Sequence, residues 1–192
     1  MKFFTKIIQL VFFLLISFNS VSEPIDIESS DMDVIENGNT ILANNSRIKI
    51  PVDNLEIISN KAKYEKIKNI VTFRNDVFFN DKNNNITIEG NFIKYERKKD
   101  LIYSKGETEL NFEKVYKINS ENLYYDRVLK KIYSKKETLI EDNENNFYIL
   151  KNGFELDITS EIVRSQKSII IDKNNNKYIF DKLVLDIKNK EI

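Results

Sequence analysis

The chain of 192 residues has no cysteine and no histidine, and it has only four glycines and two prolines. The lack of cysteine excludes disulfide bonds, thiol nucleophiles and attachment of a lipoprotein anchor. The lack of histidine removes the side chain that most often serves as a general base or metal ligand near neutral pH. The sequence therefore argues against an enzyme and against a cofactor, and the fold must be stabilised by backbone pairing and packing.

The charges of the chain balance, with 30 basic and 30 acidic residues. Binding to nucleic acid needs a basic field that neutralises phosphates, so nucleic acid is not an expected partner. Glycine and proline are scarce beside abundant asparagine, lysine and isoleucine, which is typical of genome composition bias. Aliphatic and aromatic residues nevertheless recur with a clear period, which indicates a folded chain rather than a disordered one.

The N-terminus has the features of a secretory signal peptide. Lys2 and Lys6 precede an apolar run from Ile7 to Phe18, and small residues follow it up to Ser22. This pattern predicts a signal peptide over residues 1–22 with cleavage after Ser22, and a single exported domain over residues 23–192. The apolar run is shorter than the roughly 20 residues that span a bilayer. An uncleaved N-terminal anchor is the alternative.

The apolar pattern repeats with a period of about 31 residues. Four units open at isoleucines separated by 31, 30 and 31 residues, namely Ile57, Ile88, Ile118 and Ile149. Later positions of the units also match, and their columns are Tyr64, Tyr95, Tyr125 and Leu156, then Val71, Ile102, Ile132 and Val163, and then Val77, Thr108, Thr138 and Ile169. A weaker first copy begins at Ile27, and a partial last copy contains Phe180.

The spacing within each unit predicts strands that bend. From Ile102 through Thr108 to Leu110 the pattern marks every second residue, which defines one face of a strand and excludes a helix. The first half of a unit contains a three-residue step, as between Ser120 and Leu123, and such a step requires a bulge or a bend. Residues that tolerate distorted backbone lie at these steps, and they are Asn60, Gly90, Asn91, Asn122, Asn152 and Gly153.

Polar clusters at 96–100 and 126–131 predict tight turns at exposed tips. Each unit then crosses two facing sheets and returns. The predicted fold is all-β, an elongated β-jellyroll formed by a folded-over antiparallel sheet of repeats of about 31 residues. Such an array leaves unpaired strand edges at both ends.

Residues 25–43, with the sequence IDIESSDMDVIENGNTILA, and the repeated I-x-S-x-G-x-T-x-L units resemble the OstA-like family of lipopolysaccharide transport proteins. That family includes the periplasmic bridge protein LptA and the N-terminal domain of the outer-membrane assembly protein LptD. The resemblance covers residues 25–192 and implies a groove that shelters the acyl chains of lipopolysaccharide in the periplasm. It also implies end-to-end strand pairing with other OstA-like domains and an indirect association with both membranes.

Two versions of this reading stay open, a free bridge protein and a domain tethered to the outer membrane as part of a larger protein. The family places a glycine in the second half of each unit. Here Gly106 keeps it, whereas Asn75, Lys136 and Lys167 replace it. The resemblance therefore does not predict the backbone geometry of the bend at those three positions.

The candidate lipid-binding residues are the apolar side chains on the inward face of the units. They are Ile57, Tyr64, Phe73, Phe79, Ile88, Ile93, Tyr95, Ile102, Leu110, Ile118, Leu123, Tyr125, Ile132, Ile140, Phe154 and Ile169. The competing hypothesis is a structural or adhesive β-solenoid in which these residues fill a closed core and bind no lipid.

Charged residues give weaker candidates. Asp126 with Glu137 is an example of a carboxylate pair, but solvated charges account for it. A β-helical polysaccharide-cleaving enzyme would present a cluster of acidic and basic residues on one face, and the sequence indicates none. Asp81 and Asp172 each precede KNNN, which predicts hairpin loops rather than calcium turns. Lysines predicted at the tips could contact lipid phosphates, and they are Lys98, Lys99, Lys130, Lys131, Lys135 and Lys136.

Overall fold

The computed structural model describes residues 25–189, and the predicted signal peptide lies outside these residues. Sixteen strands form one antiparallel sheet. They are β1 (Asp26–Glu28), β2 (Asp31–Ile35), β3 (Thr40–Ile50), β4 (Leu55–Glu65), β5 (Ile70–Asp81), β6 (Ile86–Glu96), β7 (Leu101–Ser104), β8 (Glu107–Phe112), β9 (Tyr116–Glu121), β10 (Tyr124–Asp126), β11 (Lys131–Ser134), β12 (Thr138–Glu141), β13 (Phe147–Leu150), β14 (Phe154–Asp157), β15 (Ile162–Ile171) and β16 (Lys177–Asp186). Three short 3₁₀ turns, Glu36–Gly38, Pro51–Asp53 and Arg97–Lys99, complete the regular structure. The predicted all-β class is confirmed.

The sheet is a meander that folds over on itself. Five long crossings are each divided into two strands, and they are β1 with β2, β7 with β8, β9 with β10, β11 with β12, and β13 with β14. The remaining strands cross without interruption. Strand β6 shows the arrangement, because its first half pairs with β8 and its second half with β7. One repeat unit is therefore one crossing out and one crossing back, as the period predicts.

Bends in the middle of the crossings divide the sheet into two facing leaves. Leaf 1 contains β2, β7, β10, β11 and β14, and leaf 2 contains β1, β8, β9, β12 and β13, while the long strands run through both. The backbone shifts register on either side of Asn60 and again before Val77. Asn122 and Gly153 have positive φ angles of 53° and 82° at the breaks between strand halves, so the predicted bends are confirmed there.

The three positions that lack the family's glycine behave differently from one another. Asn75 (φ 61°) and Lys167 (φ 54°) adopt the left-handed conformation of Gly106 (φ 81°). Lys136 is not among the residues with positive φ. At Gly153 a Cβ would lie 2.1 Å from the Ser134 carbonyl oxygen, so that bend requires glycine.

The repeat alignment is wrong at the end of the array. Ile170, not Ile169, is buried, and Tyr148 and Leu150, not Ile149, face inward. In β15 the inward positions step by three residues from Ser165 to Ser168, whereas the step from Ser104 to Thr108 is four. This bend is one residue shorter than its counterpart, so every later side chain is moved to the opposite face.

Hydroxyl side chains line the inner side of the fold between the leaves. Thr108 Oγ1 donates to Ser104 Oγ at 2.7 Å, and Ser120 and Thr138 are joined by a hydroxyl hydrogen bond of 2.8 Å. These residues are buried. Ser104, Thr108 and Thr138 occupy the S and T positions of the repeat motif, and Ser120 lies in the first half of its unit. All four satisfy one another's hydrogen-bonding groups in pairs where the strands bend.

The turns form two rims along the open side of the folded sheet. The basic rim ends leaf 1 and comprises the turns at 36–39, 66–69, 97–100, 127–130 and 158–161. We name it for the lysine and arginine residues of its three middle turns. The asparagine-rich rim comprises the turns at 51–54, 82–85, 113–115, 142–146 and 172–176, and it ends leaf 2. Within residues 25–189 no helix has the length and apolarity to cross a bilayer.

Candidate functional site

The candidate site is the space between the two leaves. Fifteen of the sixteen predicted lining residues are buried with relative exposures of 0–8%, and Ile169 is the exception because it lies on the outer face. They belong to one apolar cluster of buried residues that extends from Ala43 to Ile187. The inward placement of these fifteen side chains is confirmed, and together they fill the middle of the interior.

Residues 25–189 do not cover the N-terminal end of the interior. Val34 pairs with Ile41, and Ile41 pairs with the inward-facing Tyr64. Paired residues of antiparallel strands lie on the same face, so Val34 belongs to the inner face of leaf 1. It is nevertheless 57% exposed, and Met32, two residues earlier, is also exposed.

The C-terminal end is also incompletely covered. Tyr178 pairs with the buried Ile170, and Phe180 pairs with the buried Ser168. Tyr178 is 47% exposed, although it lies on the inner face of the last strand. Apolar inner-face side chains therefore meet solvent at both ends of the array.

A buried polar cluster, which we call the clasp, joins the two rims in the middle of the array. Arg127 of the basic rim donates through Nε to Asp81 Oδ2 at 2.8 Å and through Nη2 to the Asp53 carbonyl oxygen at 3.3 Å. Asp53 and Asp81 belong to leaf 2. Arg127 also binds Asp100 of its own rim, with Nη1 2.7 Å from Oδ1. Because the Arg127 side chain is 8% exposed and Asp81 is fully buried, this contact closes the mouth of the folded sheet.

Two tyrosines of the predicted lining contribute to the clasp. Tyr125 donates to Asp81 Oδ2 at 2.8 Å, and Tyr95 donates to Asp100 Oδ1 at 2.7 Å. Burial raises the pKa of both hydroxyls, and the neighbouring aspartates raise it further. Burial alone lowers the pKa of Arg127, but Asp100 and Asp81 more than offset it and raise that pKa above its ordinary value. The tyrosines therefore remain donors and Arg127 remains charged.

A second contact joins the rims near the C-terminal end. The Tyr116 hydroxyl, at the start of β9 on leaf 2, donates to the Ile187 carbonyl oxygen at 2.7 Å. Ile187 follows β16 on the leaf 1 side and is itself buried. Side-chain contacts close the mouth at this point, as they do at the clasp.

Sequence reasoning did not find the clasp. Arg127 and Asp81 are 46 residues apart, and both lie in segments that read as exposed turns. The available signal was the tyrosine shared by the second and third units, Tyr95 and Tyr125, since a buried phenol needs a polar partner. The identity of that partner depends on how the leaves fold together.

The aspartates before the asparagine runs cap hairpin turns, as predicted. Asp81 accepts hydrogen bonds from the amides of Asn83 and Asn84. Asp172 accepts from the amides of Asn174 and Asn176, and Asp142 caps its turn in a similar manner. Their carboxylate oxygens are engaged by N–H donors, and residues 25–189 contain no cluster of acidic residues suited to a metal ion.

The remaining charged candidates are dispersed. Asp126 ends β10 and accepts from the Leu129 amide, whereas Glu137 lies at the bend and pairs with Lys151. Lys98, Lys99 and Lys130 lie in rim turns, as predicted. Lys131 begins β11, and Lys135 and Lys136 lie at the bend between β11 and β12, so these three predicted tip positions are wrong.

Comparison with known proteins gives a likeness of fold but no match of sequence. No protein-family model matches the sequence, and no curated protein matches it. The fold is similar to the crystal structure of LptH, the LptA-homologous periplasmic component of the lipopolysaccharide transport device of Pseudomonas aeruginosa. The identity is 9%, the match covers 75% of this chain and 82% of that chain, and the TM-score is 0.31. A likeness at that level carries no argument about function.

Proposed function

We propose that this protein is a periplasmic carrier component of lipopolysaccharide transport, which shelters the acyl chains of the lipid between its two leaves. The observation that carries the proposal is an apolar interior that runs the length of the folded sheet and meets solvent at both ends, at Val34 and Tyr178. The resemblance of the repeat motif to the OstA-like family supports the same reading. No reaction is part of this function.

The energetic need for such an interior is large. Exposing an acyl chain of about a dozen carbons to water costs on the order of 10 kcal/mol, at about 0.8 kcal/mol for each methylene. A soluble carrier has to replace that water with apolar side chains. The interior offers aliphatic and aromatic side chains on every crossing, with polar atoms confined to the bend and the rims.

Entry of a chain requires the leaves to separate, because the middle of the interior is filled by its own side chains. The leaves are covalently continuous at the bend, and the clasp joins them across the mouth. Opening the mouth at the clasp therefore breaks hydrogen bonds and an ion pair but no strand ladder. We propose that lipid enters at an uncovered end and displaces the leaves from there.

The two edge crossings supply surfaces for partners. Strands β1 and β2 pair only with β3, and β16 pairs only with β15, so each leaves one row of backbone groups without a partner strand in the part of the chain described. Such edges pair readily with strands of other proteins. We propose that other transport domains of the same fold add here and extend the apolar interior from one domain to the next.

A structural β-solenoid without a ligand is the second candidate. The observation that favours it is the burial of fifteen predicted lining residues together with the clasp. This candidate predicts that the interior never opens. It also predicts that added lipid leaves the stability of the protein unchanged, whereas a carrier is stabilised by its ligand through mass action.

The test places a photo-crosslinking amino acid at Tyr178 and, in a matched variant, at Ile179. The two residues are adjacent on β16, both are exposed, and Ile179 lies on the outer face. Val34 and Ile35 form the corresponding pair on β2. After irradiation of cells, we expect lipopolysaccharide adducts at Tyr178 and Val34 but not at Ile179 and Ile35.

Two results would overturn the carrier proposal. Adducts of equal yield on both faces would show contact with lipid that does not involve the interior. The absence of adducts at Tyr178, Val34 and the central Tyr95, in protein that is exported and folded, would leave the closed solenoid as the better account.

A further inference from the structure

Three adjacent turns of the basic rim have an unusual composition. Residues 66–68, 97–99 and 128–130 read KIK, RKK and VLK, so that all nine are either basic or aliphatic. We call these nine residues the basic strip. Ile67, Val128 and Leu129 are 73%, 70% and 64% exposed, so the aliphatic members do not contribute to the core.

The three turns form one continuous row. The Asn69 carbonyl oxygen accepts from the Arg97 amide at 3.1 Å, and the Asp100 carbonyl oxygen accepts from the Arg127 amide at 3.1 Å. Neighbouring turns of a rim are two strand spacings apart, which is about 10 Å. The row is therefore held in place by the sheet, with its exposed side chains at the same edge of leaf 1.

The asparagine-rich rim provides an internal contrast. Its turns at 82–85, 142–146 and 172–176 consist of asparagine, aspartate, glutamate and lysine, and Val52 is its exposed large aliphatic residue. Both rims are rows of similar hairpin turns on one sheet. The aliphatic tips and the excess of basic residues on the basic rim are therefore not needed to make the turns.

We propose that the basic strip docks the protein on the surface of an anionic lipid bilayer. Lysine and arginine near such a surface are attracted by its negative potential, and exposed aliphatic side chains gain free energy by entering the boundary between headgroups and acyl chains. The three turns follow one another along one edge of the sheet, so their exposed side chains can contact the same membrane surface.

This inference goes beyond carriage of lipid, because the strip lies outside the interior. Docking through the basic rim brings the edge of leaf 1 to the membrane and leaves the asparagine-rich rim in water. The surface could serve a carrier or a structural protein equally, so its test is independent of the proposed function.

The test measures sedimentation of the purified protein with vesicles of phosphatidylcholine alone and of phosphatidylcholine with phosphatidylglycerol. The test variant is Lys66→Gln, Lys98→Gln and Lys130→Gln combined. The control variant, Lys82→Gln, Lys114→Gln and Lys173→Gln combined, makes the same change of charge on the other rim. All proteins share the same N-terminus, so any contribution of residues 1–24 is equal in each.

We expect binding to the anionic vesicles that falls about 100-fold in the test variant, since each lysine contributes about a fivefold factor. The control variant should bind within about threefold of the unaltered protein, and Ile67→Ser with Leu129→Ser should weaken binding even with all lysines present. An equal loss in both lysine variants would show that net charge alone acts, and it would overturn the proposal. So would binding to the two kinds of vesicle with equal strength, or no binding to either.

Discussion

The middle of the interior and its two ends are built from the same repeat, yet only the middle is closed within residues 25–189. In the middle, inward-facing side chains such as Ile102 are buried and Arg127 joins the rims above them. At the ends, side chains in equivalent inward positions, Val34 and Tyr178, are exposed. The repeat therefore packs the leaves together, whereas closure of the mouth depends on individual residues that do not repeat.

Removal of the clasp should lower the stability of the protein more than any other substitution considered below. Arg127→Met should lower the free energy of unfolding by about 3–5 kcal/mol, because it leaves the fully buried Asp81 without its charged partner. Urea denaturation measures the change. The control is Lys131→Met, which removes a partly exposed pair with Glu155 and should cost about 1 kcal/mol or less. Equal losses in the two variants would contradict the role of the clasp.

Truncation of an inward side chain should cost more stability in the middle of the interior than at its ends. Ile102→Ala should cost about 3 kcal/mol, because it creates a cavity in the packed middle. Val34→Ala should change stability by no more than about 0.5 kcal/mol, since its side chain is mostly exposed. The same denaturation experiment compares them, and a cost at Val34 as large as that at Ile102 would mean that the ends are closed in solution.

The second contact across the mouth should be weaker than the clasp. Tyr116→Phe removes the hydroxyl that donates to the Ile187 carbonyl oxygen, and the expected cost is about 1–2 kcal/mol. Hydrogen exchange of the Ile187 amide, which donates to the Glu161 carbonyl oxygen, reports the local effect. We expect faster exchange there and unchanged exchange at the central crossings. Faster exchange throughout the sheet would contradict a local role.

The smallest effect concerns the turn next to that contact. Burial by itself raises the pKa of Asp142, but hydrogen bonds from Asn146, Glu144 and Tyr148 prevail and hold it below its ordinary value of 3.8. The stabilisation is therefore complete above about pH 4 and is lost as the pH falls through the lowered pKa. Asp142→Asn should flatten the decline of stability below pH 4. The exposed Asp181→Asn is the control, and identical acid profiles for the two variants would refute this assignment.

The sequence predicts the crossings well because their signal is local. Alternation over a few residues defines the inward face, and asparagine or glycine at the breaks of alternation marks the bends at Asn60, Asn122 and Gly153. The tips at 97–100 and 127–130 lie within the polar clusters at 96–100 and 126–131 that predict them. Each of these features depends on a few neighbouring residues, so a single sequence contains it.

What the sequence does not reveal depends on longer distances or on single residues. The period of the repeat predicts that Ile169 faces inward. The bend in β15 is one residue shorter than the bend between β7 and β8, so Ile169 lies on the outer face instead. The clasp joins residues 46 positions apart, and their meeting depends on the closing of the leaves. Lys135 and Lys136 lie at a bend, but their sequence is as polar as that of a turn, and it therefore predicts a tip. The errors at Ile169 and at the two lysines concern the geometry of single bends, whereas the clasp depends on the packing of one leaf against the other.

The most direct test of the account measures whether lipid separates the two rims. Val52 and Val128 are exposed on opposite rims beside the clasp, and the chain has no native cysteine. Val52→Cys and Val128→Cys in one protein can therefore carry a pair of spin labels, whose separation is measured by pulsed electron resonance with and without lipopolysaccharide. If lipid enters between the leaves, the distance between the labels should increase when lipopolysaccharide is added. An unchanged distance at saturating lipid would contradict entry of lipid between the leaves and would favour a closed solenoid.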